Sequence, residues 1–315
     1  MNRLTGSVVA LVTPFNNDAN QTINYDKLAE LVRFQAQGGT SAIVPCGTTG
    51  ETPTLSKEEW ENVIRTVITT AKGTGMKIIA GTGSYSTREA VHLTSMAAEM
   101  GADACLLVTP YYNKPTPEGL KLHFQAIDKV GLPMFLYNVP GRTGQNITPD
   151  TTMTLFESCQ NLVGVKAANG SLDEITDLLA KLSHNNRTAC VMSGDDGLTL
   201  PVLSVGGRGI ISVAANIIPG VMRQLVDAHF ARDNERAAKI AQTIHSFCGA
   251  LLKFGANPMG IKDIMNQAGL AVGDCRLPLT GLTEDQSRKL SLMAKDLRTR
   301  LTQYGISCDP TLNSF

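Results

Sequence analysis

The stretch NLVGVKAANG, residues 161–170, decides how the rest of the chain is read. Leu162, Val163 and Val165 form a short apolar run rich in β-branched side chains, and Asn169-Gly170 closes it with turn chemistry. That is the pattern of a buried strand. Lys166 stands at its carboxyl end, where burying an ammonium without a partner is costly. Ser171-Leu-Asp-Glu174 follows as a capping box that opens a helix. A lysine between a strand end and a helix start is where α/β proteins often place their chemistry. The alternative at this point is a stem that covers apolar surface while the amine snorkels to water.

Outward from this stretch, the chain alternates between strand-like and helix-like segments. Strands are expected at residues 7–12, 41–46, 77–81, 104–109, 134–137, 162–166, 189–192 and 209–213. Helical signals lie between them. Trp60, Val63, Ile64, Val67, Ile68 and Ala71 make one clean helical stripe, opened by Ser56-Lys-Glu-Glu59. Eight β-then-α units in 233 residues predict an α/β fold of the TIM (β/α)8 barrel type. An open doubly wound sheet is the rival, but Gly81-Thr82-Gly83 with Ser86 supplies only half of a G-x-G-x-x-G pattern. After residue 233 only helical pattern remains, at 235–254, 259–268 and 283–304. The expected organisation is a barrel catalytic domain over 1–233 and a C-terminal helical appendage over 234–315.

Composition narrows the function. Lysine plus arginine equals aspartate plus glutamate, 28 each, which gives no field for nucleic acid or an anionic membrane. No run approaches the ~20 apolar residues of a membrane span. Seven cysteines, without a C-x-x-C pair, suit a reducing compartment, and a cytoplasmic protein is expected.

In a barrel the reactive groups gather at the carboxyl ends of the strands. Those ends carry Thr48 and Thr49, Tyr111 and Tyr112, Tyr137 with Arg142, Lys166, Asp195-Asp196, and the segment from Ile211 to Asn216. Histidine is missing from the set. His92, His123, His184, His229 and His245 fall on helices or their connections without ligand spacing, and read as solvated side chains. Asp195-Asp196 reads as a helix cap rather than a metal site. A lysine with tyrosines and no metal points to imine chemistry without a cofactor. The amine must be neutral to attack a carbonyl, and burial disfavours the ammonium. A tyrosine hydroxyl linked through a threonine to another tyrosine can carry the proton. The turn Gly47-Thr48-Thr49-Gly50 offers backbone N–H groups to a small carboxylate, and Arg142 can hold a second one bidentately. Each feature also has a plain structural explanation: a common turn, core aromatics, a surface cation.

Gly47-Thr-Thr-Gly-Glu51, Thr109-Pro-Tyr-Tyr-Asn113, Tyr137-Asn-Val-Pro-Gly-Arg-Thr-Gly144 and Gly164-Val-Lys166 together closely resemble the motifs of the dihydrodipicolinate synthase family, pyruvate-dependent class I aldolases. The resemblance runs in order from Gly6 to about Leu282. It implies that Lys166 forms a Schiff base with pyruvate and that Tyr137 gives and takes the proton. Thr48 and Tyr112 would complete the relay, with Tyr112 reaching in from a neighbouring subunit. Thr49 and the backbone of Ile211 would bind pyruvate, and Arg142 the carboxylate of aspartate semialdehyde. It implies no metal and no cofactor, and a homotetramer built as a dimer of dimers.

Two departures stand out. The family commonly has an acidic residue after the lysine, where this chain has Ala167. Glu89 and Tyr111 match the family's lysine-feedback site, but Lys57, Trp60 and Tyr85 replace the His, His and Asn of the inhibited type, so weak or absent inhibition is expected. Sibling activities remain open: sialic acid lyase, keto-deoxy-sugar-acid aldolase and 4-hydroxy-2-oxoglutarate aldolase. Threonine at both 48 and 49 with Arg142 favours the synthase. A barrel that only binds a keto acid is a further alternative, against which the complete relay set argues.

Overall fold

In the computed structural model, which describes Met1 and residues 4–315, eight parallel strands close into a barrel in chain order. They are β1 (Gly6–Ala10), β2 (Ala42–Val44), β3 (Lys77–Gly81), β4 (Ala104–Val108), β5 (Met134–Asn138), β6 (Leu162–Ala167), β7 (Cys190–Ser193) and β8 (Gly209–Ser212). Each pairs with the next, and β8 returns to β1. The connecting helices are α1 (Tyr25–Gln37), α2 (Lys57–Ala71), α3 (Thr87–Met100), α4 (Pro117–Asp128), α5 (Pro140–Thr143), α6 (Pro149–Ser158), α7 (Leu172–His184) and α8 (Thr199–Ser204). After β8 come α9 (Pro219–Phe230), α10 (Asn234–Lys253), α11 (Met259–Gln267) and α12 (Glu284–Gln303). The expected TIM (β/α)8 barrel followed by helices is the observed fold.

Strand alternation sorts the core into two clusters. Val8, Val44, Ile79, Phe135, Met192 and Ile211 point inward and fill the barrel. Val9, Ile43, Leu107, Leu136 and Val165 point outward, and their cluster continues without a break into α10, α11 and α12 through Ile244, Ile264 and Leu297. Each fully buried aliphatic or aromatic side chain of this kind contributes about 1.5–3 kcal/mol.

Local chemistry explains where elements stop. β2 is shorter than expected because Pro45 has no N–H for the ladder and Cys46 turns the chain at φ +53°. β1 ends at Ala10, and beyond it the Val12 N–H donates to the Asn216 side chain at 3.1 Å. Ser56 and Glu59 close both halves of their capping box, as do Thr283 and Gln286. The box expected at Ser171 is only half made. Ser171 accepts from the Glu174 N–H at 3.2 Å, but the Glu174 carboxylate turns away to Asn146 and Asn169. Helix α5 was not expected from the pattern, although it carries its own signals in Pro140 at the first turn and Gly144 at φ +69° after the last.

One histidine departs from expectation. His123 is buried, with Leu120, Phe124 and Ile127 on the same face of α4. Its Nδ1 lies 2.9 Å from the Thr87 hydroxyl and its Nε2 has no partner. Burial drives its pKa down to about 4, so it is neutral in the fold. Cys46, Cys105 and Cys190 are buried core residues, as their apolar settings suggested, and the seven cysteines are free thiols. Among the described residues no helix is long and apolar enough to cross a membrane.

Candidate active site

Lys166 and Tyr137 are register partners across β5 and β6, and both point into the barrel near its carboxyl rim. The lysine Nζ sits 4.2 Å from the centroid of the tyrosine ring. Two glycines shape the surroundings of the stem. A Cβ on Gly164, two residues before Lys166 on β6, would come within 2.4 Å of the Phe135 ring, and one on Gly194 would come within 3.1 Å of the lysine's own Cγ and Cε. Lys166 is 5% exposed. Two lysines are buried among the described residues, and only Lys262 is in an ion pair, with Glu51 at 2.7 Å. A buried amine without a carboxylate is costly as structure alone, which makes the position a candidate functional one.

Tyr137 opens onto a pocket of about 220 Å³, lined also by Gly47 and Thr48 from the loop after β2, Leu106 and Tyr111 from β4 and its loop, and Arg142 from α5. Arg142 is exposed and in no ion pair among the described residues, so its guanidinium is available to an anion. The N–H groups of Gly47, Thr48 and Thr49 find no acceptor among the described residues, while Gly50 and Glu51 close the turn by donating to Gly47 and Thr48. A loop of free N–H groups is an anion cradle.

The structure therefore brings Thr48, Tyr137 and Arg142 to one pocket, with Lys166 against the tyrosine. Lys166 itself, Thr49, Ile211 and Tyr112 lie outside the pocket's lining. Thr49 is buried, its hydroxyl bonded to Asn257 at 2.9 Å. Ile211 is buried on β8, in register with Val8. Tyr112 is 94% exposed, held at φ +70°, a left-handed conformation unusual for a bulky residue. Its neighbour Tyr111 meets Tyr85 edge to face at 5.4 Å, and burial raises the Tyr111 hydroxyl pKa.

Around the rim, Asp195 caps the turn after β7 by accepting from the Gly197 N–H at 2.9 Å. Asp196 plays a different part, accepting from Val213 and Ala214 at 3.1 and 3.0 Å and so fixing the loop after β8. Its burial raises its pKa, against the pull of those hydrogen bonds. Trp60 is buried and its indole N–H donates to Gly81 O at 3.0 Å, so core packing accounts for it. Pattern reading missed the residues that reach the loop of residues 47–51 from the C-terminal region: Asn257 and Arg276 in the connections before and after α11, and Lys262 on it. The available signal was a lysine within the apolar set Ile261, Ile264 and Met265 of α11.

A closed barrel whose rim presents an unpaired buried lysine, a tyrosine and a free arginine defines a (β/α)8-barrel lyase. The family model described as the dihydrodipicolinate synthetase family matches residues 3–297. The 4-hydroxy-tetrahydrodipicolinate synthase of Citrifermentans bemidjiense is 45% identical over 294 residues, 93% of this chain and 98% of its own. The synthase of Geotalea uraniireducens is 46% identical over 292 residues, 92% and 98% of the two chains. Among solved structures, the Methylacidiphilum fumariolicum synthase superposes with a TM-score of 0.91 at 38% identity, covering 96% of this chain and 98% of that one. The chloride-inhibited dihydrodipicolinate synthase of Acinetobacter baumannii, complexed with pyruvate, gives 0.88 at 41%, covering 93% and 99%. The chain belongs to the dihydrodipicolinate synthetase family.

Proposed function

We propose that this lyase condenses pyruvate with L-aspartate 4-semialdehyde, with Lys166 as the imine-forming residue. The observation that carries the assignment is the buried Lys166 amine, outside any ion pair and 4.2 Å from the Tyr137 ring. The free-base amine adds to the keto carbon of pyruvate, and water leaves as the imine forms. The protonated imine draws electrons from the methyl group, and loss of a methyl proton gives the enamine. Tyr137 carries that proton, with Thr48 beside it in the pocket. The enamine carbon bonds to the aldehyde carbon, and the aldehyde oxygen takes up a proton. Finally the substrate's own amine attacks the imine carbon and displaces Lys166, which closes the ring of 4-hydroxy-tetrahydrodipicolinate.

The cradle of N–H groups from Gly47 to Thr49, with the Ile211 backbone, holds the pyruvate carboxylate, and Arg142 holds that of the aldehyde substrate. Tyr112 acts in the relay of a neighbouring subunit, which its exposure supports, in a homotetramer built from dimers. Free lysine inhibits weakly or not at all, since Trp60 is committed to the core. The setting is the cytoplasm.

The test is a panel of aldehydes offered with pyruvate. Aspartate semialdehyde is expected to give the highest kcat/KM by at least about tenfold. Faster turnover of N-acetylmannosamine, a sugar-acid aldehyde or glyoxylate would overturn the substrate assignment.

A further inference from the structure

We propose that Asn257, in the segment between α10 and α11, is a positioning residue that fixes the direction of the Thr49 hydroxyl and so completes the pyruvate carboxylate site. The idea rests on the imine reading of Lys166 given above. Asn257 is buried, and its Nδ2 donates to Thr49 Oγ1 at 2.9 Å across 208 positions of sequence. An amide NH2 group can only donate, so the threonine oxygen takes the acceptor role. The hydroxyl proton is then released for another acceptor. Next to it, the N–H groups of Thr48 and Thr49 also donate to nothing among the described residues. The loop thus presents several donors side by side, a set that suits an anionic carboxylate.

The surroundings make this orientation firm. Glu51, two residues on, is gripped from the same C-terminal region, by the Lys262 ammonium of α11 at 2.7 Å and the Arg276 N–H of the connection after it at 2.9 Å. Gly50, between the two anchored residues, accepts through its carbonyl from Thr13 Oγ1 at 2.7 Å. The loop is held on three sides, and Asn257 is the contact that reaches a side chain of the anion cradle. Its own Oδ1 is buried without a partner, so the residue's hydrogen bonding is spent on Thr49 alone among the described residues.

The variant Asn257→Asp is close to isosteric, and when ionised it only accepts. It would take the Thr49 proton and place a negative charge beside the cradle. The expected result is a rise of about tenfold or more in the pyruvate KM, with kcat and the aldehyde KM changed less than about threefold. Half-saturation of borohydride trapping by pyruvate in the wild type and the variant separates this proposal from the reading it rests on. Absence of trapping in the wild type would remove the imine reading itself. Trapping in both with the same half-saturating pyruvate would overturn the role of Asn257 alone. Should the aspartate variant fail to fold, Asn257→Ala, Thr49→Val and their combination decide. The proposal requires the double variant to raise the pyruvate KM no more than Thr49→Val does, and independent multiplicative effects would overturn it.

Discussion

Lys166 and Tyr137 face each other across adjacent parallel strands, with the amine 4.2 Å from the centroid of the phenol ring. The arrangement separates two roles that one residue can play. The ring packs against the lysine, and in the proposed reaction the hydroxyl moves protons. Tyr137→Phe keeps the ring and removes the hydroxyl. Pyruvate is expected still to be trapped on Lys166 by borohydride, while kcat falls about 10²–10⁴-fold. Steady-state rates and intact mass check both halves, and unchanged turnover would remove Tyr137 from the relay.

Tyr112 stands 94% exposed at a backbone angle that few bulky residues adopt, and takes no part in its own pocket. If it serves a neighbour, two inactive chains can repair each other. Lys166→Ala and Tyr112→Ala, mixed and allowed to exchange subunits, are expected to recover up to about a quarter of wild-type activity, from hybrid dimers with one intact site. No recovery after demonstrated exchange would contradict the shared site.

Glu51 and Lys262 form an ion pair buried from solvent on both sides. Burial lowers the lysine's pKa, and Glu51 opposes that shift. Lys262 and Arg276 also lie on the Phe15 ring, 4.1 and 4.4 Å from its centroid. Removing one partner strands a charge. Lys262→Met and Glu51→Gln are each expected to cost about 3–5 kcal/mol of stability, and the double variant less than their sum. Denaturant unfolding measures the cycle. Additive losses would show that the two charges do not depend on each other.

His123 gives the stability a pH dependence of known sign. Its folded pKa of about 4 lies below the ordinary value of 6.5. Between these values the unfolded chain takes up a proton that the folded chain excludes, so stability falls as pH drops from 6.5 towards 4. By pH 4.5 the loss from this group is about 2–3 kcal/mol. His123→Phe is expected to lose that much less stability than the wild type between pH 7 and pH 4.5. Equal losses in paired melts would show that His123 does not set the slope.

The fold was legible because most strand runs end in turn chemistry and most crossover helices open with a cap, as in β6 followed by Ser171. The candidate site was legible where an odd residue stands at a strand end, such as Lys166 within an apolar run. His123 was misread by residue type alone, although Leu120, Phe124 and Ile127 place it on the buried face of α4. Glu174 was read as half of a capping box because spacing cannot show that Asn146 and Asn169 compete for its carboxylate. Asn257 and Lys262 were beyond local pattern altogether. Their partners Thr49 and Glu51 lie more than 200 positions away, and only closure of the fold brings them together.

The most direct measurement is the site of reduction when the protein is treated with pyruvate and borohydride. A single reduced pyruvyl adduct on Lys166, absent from Lys166→Ala together with all turnover, is the predicted result. An adduct on another lysine, or full activity in Lys166→Ala, would contradict it.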